Sequence, residues 1–97
     1  MPTYVTLANF TDQGMRDVKN IPKRAEAFKS AAKQFGCTVK ELLYTQGQYD
    51  VVSIVEAPDE ATASALTLSI AKNGNVSGQT LRAFSVAEME KILAKVV

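Results

Sequence analysis

Histidine and tryptophan are absent from this chain of 97 residues, and cysteine occurs once. Without imidazole there are no Ser-His or Cys-His nucleophile pairs, no histidine general base, and no histidine-ligated haem or metal. A single cysteine, Cys37, cannot close an intrachain disulfide or build a thiolate metal cluster, and it suits a reducing cytoplasm. No apolar run approaches the ~18 residues that a membrane span requires. Met1-Pro2-Thr3-Tyr4 lacks the basic and long apolar regions of a signal peptide, so a cytoplasmic chain is expected. Eleven Lys and Arg against ten Asp and Glu leave a net charge of +1, which argues against nucleic acid or a membrane surface as partner. Chemistry is left to carboxylates, Lys, Arg, Tyr, hydroxyls, Cys37 or a borrowed cofactor. No resident cofactor and no metal are expected.

What is present describes one small globular domain spanning residues 1–97, with 46% hydrophobic residues and no repeats, linkers or low-complexity segments. A chain of this length buries only about 60–65% of its unfolded surface, so burial between subunits would help it. Tyr4 to Phe10 is apolar with partial alternation and reads as a first strand, broken by Thr11-Asp12-Gln13-Gly14. Ile21, Ala25, Phe28, Ala32 and Phe35 fall at helical spacing, with Pro22 in the first turn and Gly36 as the stop. A separate short turn over Gly14 to Lys19 precedes them. Thr38–Thr45 and Tyr49–Glu56 read as a hairpin through Gln46-Gly47-Gln48, where Gly47 supplies the positive φ. Asp59 and Glu60 open a second helix, which runs to about Lys72. Gln79–Phe84 is a fourth strand, and Ser85-Val86-Ala87-Glu88 is a capping-box signature opening a last helix. The order β-α-β-β-α-β with right-handed crossovers predicts an α+β, ferredoxin-like antiparallel sheet of order 4-1-3-2, plus a C-terminal helix.

Asp50 raises the sharpest local question, because an acid opens one of the best strands in the chain. The hairpin register pairs Thr45 with Asp50, Leu43 with Val52 and Glu41 with Ile54. We assign Val5, Leu7, Leu43, Val52 and Ile54 to the helix-covered face, with Asp50 pointing the same way. Asp50 is then a structural anchor accepting hydrogen bonds from N–H groups near Thr11 to Met15, or from the Thr45 or Thr11 hydroxyl. The alternative is a functional base or ligand.

On that assignment the second face carries Tyr4, Thr6, Ala8, Phe10, Leu42, Tyr44, Tyr49, Val51, Ser53 and Val55. Strand 4 adds Arg82 and Phe84 or Leu81 and Ala83, according to its register. Such a surface is too apolar for open water and marks association or ligand binding. Gly47-Gln48-Tyr49-Asp50, Glu56-Ala57-Pro58-Asp59-Glu60 and Gly78-Gln79-Thr80-Leu81-Arg82-Ala83-Phe84 resemble the recurring stretches of the GYD-domain family, in order and spacing. That resemblance implies a bacterial protein with a ferredoxin-like protomer of the dimeric α/β-barrel type. The family has no assigned activity, and its relatives range from cofactor-independent monooxygenases to metabolite sensors, so membership does not choose a function.

Tyr4, Thr6, Tyr44, Tyr49, Ser53 and Arg82 are the candidate ligand-binding groups, forming a pocket between paired sheets for a small aromatic or carboxylate-bearing molecule. The plainer reading makes the tyrosines interface aromatics. Glu56, Asp59 and Glu60 suggest a hard-metal cluster, but helix-start acids explain the last two. Lys19, Lys23, Arg24, Lys29 and Lys33 read as a solvated helix face. Cys37 reads as a small packing residue and Gly74–Gly78 as a turn. The expected function is a homo-oligomeric domain, a dimer or larger, that encloses a small molecule. The alternative is a monooxygenase- or isomerase-like enzyme using Tyr and Arg to stabilise an enolate or phenolate.

Overall fold

The computed structural model describes residues 1–97. Four strands, β1 (Thr3–Phe10), β2 (Thr38–Tyr44), β3 (Val51–Glu56) and β4 (Val76–Ala83), form one antiparallel sheet in the order β2-β3-β1-β4. This is the expected order read from the other edge. Helices α2 (Ile21–Gln34) and α3 (Glu60–Ala71) cover one face, while α1 (Asp12–Arg16) and a 3-10 turn (Val18–Asn20) link β1 to α2. Helix α4 (Val86–Leu93) closes the chain. The hairpin register agrees with the sequence reading, pairing Glu41 with Ile54 and Leu43 with Val52, with an irregularity between Val39 and Glu41.

Local chemistry sets the boundaries. The Thr11 hydroxyl accepts from the Gly14 N–H and caps α1, so the segment that ends β1, as expected, also begins a short helix. Asp59 caps α3 by accepting from the Thr62 N–H at 2.7 Å. Ser85 and Glu88 form the full capping box of α4. Strand β4 starts at Val76 rather than Gln79, so Gly78 lies within a strand and not in a turn. Gly78 faces Ala8 across the ladder, and a Cβ there would collide with the Leu7 carbonyl and the Ala8 backbone. The turn falls at Asn73–Asn75, where Gly74 takes φ +80°.

The faces of the sheet are the reverse of the sequence assignment. Tyr4, Ala8, Ser53 and Val55 are buried, and Tyr4 and Val55 share the core cluster with Ala32 of α2 and with Ala63 and Leu66 of α3. Val5, Leu7, Leu43, Val52 and Ile54 share the opposite parity and lie on the uncovered face, joined by Leu81. Both sets are apolar, so alternation alone does not choose between them, and a parity error transfers every side chain at once. Ala32 and Ala63, small residues on the helices, leave room for the Tyr4 ring beneath them. The resulting core is thin. Only ten residues are buried, and no large side chain is fully enclosed.

Candidate functional site

Between the sheet and helices α2 and α3 lies a cavity of about 240 Å³. Sixteen of its 25 lining residues are hydrophobic, including Phe10, Phe28, Leu42, Val51, Leu66 and Ile70. Four of the six candidates read from the sequence, Tyr4, Thr6, Tyr44 and Ser53, line this space. It lies beneath the helices of a single chain, so these four residues do not face a space between paired sheets as expected. The Thr6 and Thr80 hydroxyls meet at 3.0 Å across strands β1 and β4. Ser53 is buried, and the Tyr4 hydroxyl is buried without a hydrogen-bond partner.

The other two candidates stand apart from the cavity. Tyr49 accepts a hydrogen bond through its phenol oxygen from Gln79 Nε2 at 3.0 Å, and Gln79 belongs to the uncovered face. Arg82 is paired opposite Tyr4, which fixes the β4 register: Arg82 lies on the helix side and Leu81 on the open side. The guanidinium lies 4.5 Å from the Phe84 ring centroid and 5.7 Å from that of Tyr4. It also donates to Glu88 at 3.3 Å and to the Thr3 and Ala83 carbonyls. Arg82 therefore fastens α4 to the sheet.

Among the lining residues only Arg24 carries charge. Sequence reading placed it on a solvated helix face, although its four-residue step to Phe28 already put both on one side of α2. Its guanidinium donates to the Asp17 carbonyl at 2.7 Å and the Gly14 carbonyl at 3.3 Å, pairs with the Asp17 carboxylate at 3.6 Å, and covers the Phe10 ring. The lining holds no carboxylate, lysine or cysteine. Burial raises the Tyr44 phenol above its ordinary value, partly offset by Arg24, so a tyrosinate base is disfavoured.

Asp50 accepts the Phe10 N–H through Oδ2 at 3.0 Å, while its own N–H donates to the Ala8 carbonyl and its carbonyl accepts from Thr45. The partner is thus the last residue of β1, one position before the segment expected. The Thr45 hydroxyl donates to the Tyr49 carbonyl and the Thr11 hydroxyl to the Gly74 carbonyl, so neither serves Asp50. Gly47 turns the hairpin with φ +119°. Of the three acids weighed as a metal cluster, Asp59 caps α3 and Glu56 lies 3.8 Å from Lys40, while Glu60 stands in the first turn of α3. Cys37 is buried, and burial together with the Asp59 charge pushes its thiol up, away from nucleophilic character.

The uncovered face is the second feature of note. Val5, Leu7, Val52 and Ile54 on the central strands, with Leu43 and Leu81 on the edges, form an apolar centre. Leu43 and Leu81 are 50% and 44% exposed, and Glu41, Glu56, Ser77 and Gln79 complete the rim. Helix α4 adds a stripe of Val86, Met89 and Leu93, all exposed. No helix is long and apolar enough to cross a membrane.

The sequence profile of the GYD domain matches residues 4–93. A curated relative from Thermus thermophilus, the "Glutamine synthetase and cystathionine beta-lyase binding protein", is 37% identical over 90 residues, which cover 92% of this chain and 95% of the relative.

Proposed function

The chain belongs to the GYD-domain family, and from that premise we propose a protein-binding module that acts as a paired homo-oligomer in the cytoplasm. The observation that carries this reading is the uncovered sheet face, where Val5, Leu7, Leu43, Val52, Ile54 and Leu81 gather inside a polar rim. Apolar ground of this kind is drawn out of water by about 25 cal/mol per Å² buried. A second copy is the occupant best matched to it, because a two-fold axis sets the same apolar centre and polar rim against themselves. The thin core points the same way: a protomer with ten buried residues gains stability by burying more between copies. A net charge of +1 offers little repulsion to that approach.

The relative is named for binding two enzymes, glutamine synthetase and cystathionine beta-lyase. Those proteins are the first candidates as partners here, engaged by the outer surfaces of the pair. The test is native mass spectrometry of wild type and of Leu43→Lys and Leu81→Lys at micromolar concentration, followed by titration with each purified enzyme. Wild type is expected as a pair or larger assembly, and each lysine variant as folded single copies. A wild-type monomer would sink the pairing, and absence of binding to either enzyme would remove those two partners.

A further inference from the structure

The cavity beneath α2 and α3 has a polar feature that pairing leaves untouched, since it lies on the opposite side of the sheet from the uncovered face. Its wall includes Tyr4, which is 8% exposed and whose hydroxyl is buried with no partner. A buried hydroxyl without a hydrogen bond is destabilising, so native structures rarely leave one unanswered. Ser53, 6% exposed, places a second hydroxyl on the same wall. At about 240 Å³ the space exceeds the roughly 150 Å³ cavity that admits benzene.

The charge of the lining narrows the occupant. Arg24 is its only ion, and two backbone carbonyls, the Asp17 carboxylate and the Phe10 ring already engage it. A carboxylate entering the cavity would give up its water without gaining a free cation. A neutral oxygen faces no such penalty, and both hydroxyls can donate to it.

We infer that this cavity is a binding site for a small, uncharged, mostly apolar molecule, such as a monocyclic aromatic ketone, whose oxygen accepts a hydrogen bond from Tyr4. Apolar side chains from both helices and the sheet hold its body. The Thr6–Thr80 pair is satisfied internally and serves as wall. The inference is independent of pairing, since every residue it uses comes from one protomer.

Acetophenone is a suitable probe, compared with ethylbenzene, which lacks the oxygen, and benzoate, which adds a charge. Titration of the wild-type chain, followed by amide and methyl NMR shifts, is expected to give affinity in the order acetophenone, ethylbenzene, benzoate. Shifts should centre on Phe28, Val55, Leu66 and Ile70. Tyr4→Phe should weaken acetophenone about tenfold, the equivalent of one hydrogen bond, and leave ethylbenzene unchanged. The same variant should melt no lower than wild type without ligand, because it deletes an unpaired group. Equal affinity for acetophenone and ethylbenzene, tighter binding of benzoate, or no shifts at cavity residues would each overturn the inference. So would a Tyr4→Phe variant that keeps wild-type affinity for acetophenone.

Discussion

At the scale of single residues, Asp50 shows how an acid earns a place beside a strand. Its carboxylate holds the Phe10 N–H while its backbone bonds both Ala8 and Thr45, so one residue binds β1 to the hairpin. Asp50→Asn keeps the shape and an accepting oxygen but loses the charge assistance, and should lower unfolding free energy by about 1–2 kcal/mol. Urea denaturation measures this, and an unchanged midpoint would show that the carboxylate contributes nothing as an anchor. That the Asp50 carboxylate would accept a backbone N–H was legible from its setting in the chain. The choice of Phe10 as partner was not, because it depends on how far β1 runs before the Thr11 cap turns it into α1. Cys37 was legible as a small packing residue, since no activating neighbour accompanied it, and burial together with the Asp59 charge raises its thiol.

At the scale of elements, caps and hydrophobic spacing located the four strands and α2, α3 and α4 but not the short α1, and the crossover rule ordered the sheet. The errors fell at glycines. Gly14 and Gly78 read as breaks because glycine permits turning, yet here each permits close approach: a Cβ on Gly14 would collide with the Asn75 carbonyl, as one on Gly78 would with β1. Sequence shows that a side chain is absent, not which of the two uses applies. Helix α4 gives a clear electrostatic expectation. The Ser85 N–H and Arg82 hold the Glu88 carboxyl below its ordinary range, and the Thr62 N–H does the same for Asp59. Both carboxylates are lowered in the folded chain, so the stability they contribute is complete above their unfolded values and fades as acid protonates the folded state. Melting temperature should therefore fall between about pH 5 and pH 3. Glu88→Gln should melt lower than wild type at pH 7 and show a shallower fall over that interval. Parallel acid slopes in circular-dichroism melts would remove Glu88 from the account.

At the scale of the whole molecule, the fold was readable and the inside of the sheet was not. Two apolar faces offered the same alternation, and the one the helices cover packs Tyr4 and Val55 into a cluster with Ala32, Ala63 and Leu66. The candidate site was legible to a similar degree. Tyr4, Thr6, Tyr44 and Ser53 share one face by their spacing, whereas Tyr49 and Arg82 were separated from them by a loop and a register that spacing does not reveal. If copies pair, stability depends on how many copies are present. Raising protein concentration tenfold should lift the melting temperature by about a few degrees, and Leu81→Lys should abolish the dependence. A melting point indifferent to concentration in the wild type would argue for self-sufficient protomers.

Strand β1 carries a last consequence. Tyr4, Thr6 and Ala8 point beneath the helices, while Val5 and Leu7 belong to the bare side, and neighbouring strands occupy both of its edges. If both proposed sites are filled, no residue from Tyr4 to Ala8 is idle, since each successive one faces a different occupant. Substitutions along this strand would then register alternately in ligand binding and in pairing, while those on helix exteriors would register in neither.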